Sequence, residues 1–211
     1  MFPTGDYDRF YYDVLERYDN IDTPITFGVL IADYNQGLAR DYIVNYLDIF
    51  DKNSDKYIDF FIPGYVPYEH YGKDICKPIH FRNKQGEKYY FSREAFHRFI
   101  TEFKNQFDIE YPYSPILVLM ELSKDNFTTP KKIIIELDSD NMNIKRSGIL
   151  FDKIFEIAKQ NKNINGFETG LVKTYLKGEW LETIVRAIDN SVLTEMFNQQ
   201  QNIRSFKCIN P

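Results

Sequence analysis

The sequence predicts an α/β fold built on a mixed sheet, and three observations carry that expectation. The segment "ITFGVLIA", residues 25–32, is apolar at nearly every position, as a central strand covered on both faces requires. It is followed by helical spacing and then by a second strand-like run, "YIDFFIP", which together make a right-handed βαβ unit with parallel strands. Farther on, "ILVLMEL" and "KKIIIELD" are joined by "SKDNFTTP", a loop short enough to make them antiparallel neighbours.

Taken in order, residues 7–19 place Tyr7, Phe10, Tyr11, Val14, Leu15 and Tyr18 at helical spacing, predicting an amphipathic helix before the first strand. After that strand, Leu38, Tyr42, Ile43, Tyr46, Leu47 and Phe50 recur at three and four, so a helix ends near "DKNSD". The second strand, 57–62, breaks at Pro63-Gly64. Residues 65–91 form an insertion, with "PIHFRNKQGEKYYFS" reading as a hairpin turned at "NKQG". Ser92 offers a helix N-cap, and Ala95, Phe96, Phe99, Ile100, Phe103 and Phe107 give the next helix a wide apolar face. Strands over 116–122 and 132–138 follow, then a helix from Ser147 to Gln160. From Gly166 onward the spacing predicts two more helices, 171–189 and 191–201. The chain therefore divides into an α/β domain, 1–165, and a C-terminal helical extension, 166–211.

Composition removes several functional classes. A net charge of −5 with scattered lysines and arginines gives no electrostatic footprint for nucleic acid or an anionic membrane. No apolar run approaches the length that spans a bilayer, and the N-terminal "MFPTGDYDRF" is acidic where a signal peptide would be basic. The expectation is a cytoplasmic protein. Cys76 and Cys208 are then free thiols, and the "NFT" sequon at Asn126 is a chance match.

This element order, β-α-β, an insertion, then α-β-β-α, resembles the thioredoxin-like fold, whose four-stranded core sheet runs 2-1-3-4. Pro115, directly before the third core strand, stands where that family places a cis-proline facing its active site. The resemblance covers residues 25–160. Where redox members of the family carry Cys-x-x-Cys, this chain reads Asp33-Tyr34-Asn35-Gln36, so the resemblance implies the scaffold without thiol-disulfide chemistry. It also implies that one edge of the sheet gathers Asp33, Tyr34, Asn35, Pro63, Gly64, Tyr65, Tyr113, Ser114, Pro115, Asp138 and Asp140. Ligands of open α/β sheets favour such an edge.

Each of these residues has a plainer role to weigh. Asp33 or Asn35 caps the helix after the first strand, and "ELDSDN", with Asp138 and Asp140, lacks calcium-loop spacing. His70, Cys76 and His80 lie close in sequence but match no zinc pattern, and His97 sits beside an apolar helix face as a packing residue. No phosphate loop, dinucleotide fingerprint or nucleophile elbow occurs. The sequence therefore assigns no catalytic residue, metal or cofactor. It points to a binding module that engages a protein or peptide through Asp33, Tyr34, Asn35, Tyr65, Ser114, Pro115 and Asp138. The aspartates on that edge suggest a neutral or basic partner segment. The alternative is a metal-assisted hydrolase or transferase working on the same acid-aromatic edge. Trp180 and Met196-Phe197 mark the C-terminal helices as a surface for assembly, including with a second copy.

Overall fold

The computed structural model of the chain describes residues 1–18, 23–37, 39–40, 47–54, 56–68, 81–83, 85–122, 131–137, 144–176 and 185–188. Among them a six-stranded mixed sheet is flanked by helices on both faces. Its strands are β1 (Phe2–Thr4), β2 (Ile25–Ile31), β3 (Phe60–Pro63), β7 (Ile116–Leu122), β8 (Lys132–Glu136) and β9 (Val185–Ile188), in the order β1-β3-β2-β7-β8-β9. β3 runs parallel to β1 and β2, whereas β7, β8 and β9 alternate antiparallel. As the apolar run at 25–32 predicts, β2 is an interior strand, with β7 antiparallel to it over its whole length.

Alternation along β2 divides the core. Phe27, Val29 and Ile31 face the layer of α1 (Tyr7–Tyr18) and α3 (Arg93–Phe107), where Phe10 is fully buried. Its ring meets Phe61 and Phe99 edge-on at 5.2 and 5.5 Å, geometries that aromatic quadrupoles favour. On the opposite face lie Gly28 and Leu30 with Phe60, whose ring stands edge-on to Phe155 of α4 (Ile144–Gln160) at 5.5 Å. α5 (Ile164–Leu176) packs closely on α4, because Gly170 offers no side chain against Ile157. The C-terminal end of α1 is tied to β3 through Asp59, which accepts bonds from Tyr18 Oη at 2.5 Å and Arg17 Nε at 3.1 Å. Burial and the Asp59 charge push the Tyr18 phenol well above its usual range. α2 (Leu47–Asn53) follows the crossover from β2. Among the described residues no helix is long and apolar enough to cross a membrane.

The insertion forms its own three-stranded antiparallel sheet, β4 (Tyr65–Pro67), β6 (Lys88–Phe91) and β5 (Phe81–Arg82). The turn expected at "NKQG" is present. Asn83 exchanges backbone and side-chain hydrogen bonds with Glu87, and Gly86 takes φ +84.

Several expectations are corrected. The second core strand begins at Phe60 rather than residue 57, because Tyr57 N–H still bonds Asn53 and the Ser54 hydroxyl accepts the Phe60 N–H. β1 is too short, and contains Pro3, to announce itself by periodicity; as an edge strand it tolerates the proline. α4 starts at Ile144, ahead of Ser147. α5 starts at Ile164, where the Asn163 side chain accepts the Gly166 N–H and Glu121 Oε2 accepts the Ile164 N–H. Most consequentially, the helix expected over 171–189 does not continue to its end. Val185–Ile188 is instead a strand, supplying hydrogen-bond partners to the outer edge of β8. Residues 191–201, Trp180, Met196, Phe197, Cys76 and Cys208 lie outside the described residues.

Candidate functional site

Three chain segments converge at the carboxyl ends of β2 and β3. After Ile31 the chain turns at once, and Asp33 holds the turn. Its Oδ1 accepts the Asn35 backbone N–H at 2.9 Å and the Asn35 side-chain amide at 3.0 Å, while its carbonyl accepts the Gln36 N–H. This is a self-bonded aspartate turn of the kind that short acidic side chains favour. Asp33 is only 3% exposed. Its other oxygen stands 4.0 Å from Arg93 Nε, on the first turn of α3.

The second segment is Pro63-Gly64, where β3 hands over to β4. Gly64 has φ +83, its N–H reaches Thr4 and its carbonyl accepts the Ser92 N–H. A Cβ there would lie 2.8 Å from both Phe96 Cβ and Phe91 Cε2, so only glycine fits. Ser92 then caps α3, its hydroxyl accepting the Ala95 N–H as the sequence predicts.

The third segment, residues 108–115, leads from α3 into β7. Asp108 ends the helix in the left-handed region (φ 52) with its N–H on Lys104, a conformation short polar residues adopt at helix ends. Ile109 is buried, and Glu110 pairs with Lys104 at 2.7 Å, which holds the Glu110 carboxyl below its usual range. Tyr111 packs edge-on to Phe96 at 5.5 Å. Its hydroxyl accepts the Asp33 N–H and donates to Gln36 Oε1, at 3.4 and 3.3 Å, stapling this loop to the aspartate turn. Burial pushes its pKa up to about 12. Pro115 is buried and its carbonyl accepts the Leu137 N–H. Between these two anchors, Tyr113 is 78% exposed with φ 59.

The residues expected at this edge are thus placed unequally. Asp33 and Asn35 share the turn with Tyr34, whose ring lies 6.0 Å from Phe91, and the pairing of Ile31 with Ile116 puts Ser114-Pro115 at the adjacent strand end. Tyr65 is buried against Phe91, its phenol raised above the usual range first by burial and then by Tyr34, so it supports the edge from beneath rather than lining it. The Ser114–Pro115 bond is trans, unlike the cis-proline the resemblance implies. Asp138 and Asp140 lie outside the described residues, as do His70, Cys76 and His80. His97 is exposed rather than packed inward, and its Nε2 accepts from Arg93 Nε at 3.2 Å.

Sequence reasoning missed Tyr111, Gln36 and Arg93. Only "YPYSP" hinted at the first, and nothing local distinguished Arg93 from any helix-surface arginine. Among the described residues no three histidine, cysteine or acidic side chains are grouped to hold a metal ion. Chemically, the edge offers an exposed aromatic ring, an exposed guanidinium and amide groups around a buried carboxylate already engaged by Asn35. No family model, no curated protein and no solved structure matches this chain.

Proposed function

We propose that the chain is a thioredoxin-like binding module without redox chemistry, which holds an extended protein or peptide segment at the edge formed by Asp33-Tyr34-Asn35 and Tyr111–Pro115, as a component of a larger assembly. The scaffold reading is supported by the order of the four core strands. Counted along the chain from β2, the second lies beside the first, then the third, then the fourth, with the first two parallel and the rest antiparallel.

One observation carries the binding reading: Tyr113 is both strained and unburied. A bulky residue in the left-handed region costs about 1 to 2 kcal/mol, and at 78% exposure its ring gains little packing to offset it. Strain held without folding benefit concentrates at functional sites. The loop on either side is fixed, by the Tyr111 hydroxyl bonds and by the buried Pro115, so the ring is presented from a rigid base, as an anchoring aromatic should be. A hydrolytic reading is less well supported, because the buried carboxylate at the edge, Asp33, directs Oδ1 to its own turn.

The test replaces Tyr113 with glycine, which removes the ring and relieves the strain. Stability should stay within about 1 kcal/mol of wild type. Retention of labelled protein on an array of extended peptides should be lost. Equal retention by wild type and Tyr113→Gly would remove the site from this edge.

A further inference from the structure

The edge also carries information about the kind of segment it would take. We propose that it selects an acidic one, in which an aspartate or glutamate side chain pairs with Arg93 while a neighbouring apolar or aromatic side chain packs on Tyr113. This rests on the binding reading above and names the chemistry of the partner.

Arg93 is held on one side and open on the other. Its Nε donates to His97 Nε2 at 3.2 Å and stands 4.0 Å from Asp33 Oδ2. Its two terminal amino groups make no hydrogen bond among the described residues, and its side chain is 67% exposed. A guanidinium fixed through Nε presents those groups as a planar fork, the geometry that a carboxylate meets with two parallel bonds.

Asp33 does not fill that role itself. Its carboxylate is 4% exposed, one oxygen takes both Asn35 donors, and the other approaches Arg93 only to 4.0 Å, beyond hydrogen-bonding distance. The expectation of a neutral or basic partner rested on Asp33, Asp138 and Asp140, of which the last two lie outside the described residues. Asp33 is withdrawn from the surface, its carboxylate 4% exposed, and Glu110 on the adjoining loop pairs with Lys104 at 2.7 Å.

Arg93 and Tyr113 are linked through the aspartate turn. Arg93 Nε stands 4.0 Å from Asp33 Oδ2, the Asp33 N–H donates to the Tyr111 hydroxyl at 3.4 Å, and the Tyr111 ring meets Tyr113 at 5.9 Å.

The experiment measures fluorescence anisotropy with three degenerate peptide pools. Each has one fixed aromatic position and uncharged residues elsewhere, and they differ by a fixed glutamate, glutamine or lysine. Wild-type protein should bind the glutamate pool about tenfold more tightly than the glutamine pool, with the advantage shrinking at high salt because the guanidinium is exposed. Arg93→Gln should erase the preference, and Arg93→Glu should invert it towards the lysine pool, both with unchanged circular dichroism. If the glutamine or lysine pool binds as well as the glutamate pool, and Tyr113→Gly abolishes that binding, the acidic preference is overturned while the binding reading stands. If no pool binds, or binding ignores Tyr113→Gly, both are overturned.

Discussion

Replacing Gly28 with alanine tests the register at the centre of the sheet. Gly28 lies opposite Phe60 on β3 and Leu119 on β7. A Cβ added there would stand 2.4 and 2.5 Å from Phe60 Cε1 and Cδ1, and 3.4 Å from Leu117 Cδ1. The Phe60 ring cannot retreat, since it is fully buried and wedged edge-on against Phe155 at 5.5 Å. Overpacking of this kind costs about 1 to 3 kcal/mol, and the reduced entropy of the unfolded chain returns less than about 1 kcal/mol. The expected net loss is about 2 kcal/mol, or about 4 to 8 °C in Tm for a chain of this length. Urea titration should show a lower midpoint with an unchanged slope. Adding Phe60→Leu should make the double variant more stable than the two single losses predict, because the pair share one space. Wild-type stability in Gly28→Ala, or strict additivity in the double variant, would refute the pairing of Gly28 with Phe60.

Three further outcomes are expected. Gly64→Ala should lower stability by at least about 2 kcal/mol in the same titration, since the positive φ and the 2.8 Å approaches to Phe91 and Phe96 act together. Ser92→Ala should cost about 1 kcal/mol through loss of the α3 cap, with helix content by circular dichroism otherwise retained. Alkaline pH should destabilise the protein. Burial raises Tyr7, Tyr89 and Tyr111 to about 12 in the folded state, against about 10 unfolded. The folded state therefore keeps protons the unfolded state has lost, and stability that is full below about pH 10 falls as pH rises towards 12. Thermal melts at stepped pH would show this, and a Tm unchanged between pH 9 and about 11.5 would contradict it.

The chain's local pattern determined the framework, because burial imposes a period that side chains display directly. The nearly continuous apolar run at 25–32 predicts an interior strand, and β2 is one. The spacing of Phe96, Phe99, Phe103 and Phe107, with Ser92 ahead of it, likewise specified α3 and its cap, and "NKQG" specified its turn. Tertiary structure decided what pairs with what across long separations. Val185–Ile188 lies in a stretch whose spacing reads as helix, yet the unsatisfied edge of β8 draws it into the sheet, since ladder hydrogen bonds outweigh a few tenths of a kcal/mol per residue of local preference. The candidate site divides the same way. That Asp33 and Asn35 form a turn follows from their positions next to a strand end. That Tyr65 is buried beneath the edge, that Tyr111 reaches back 78 residues to the Asp33 N–H, and that Arg93 is the exposed charge beside it depend on side chains meeting in space, and no local period encodes such meetings.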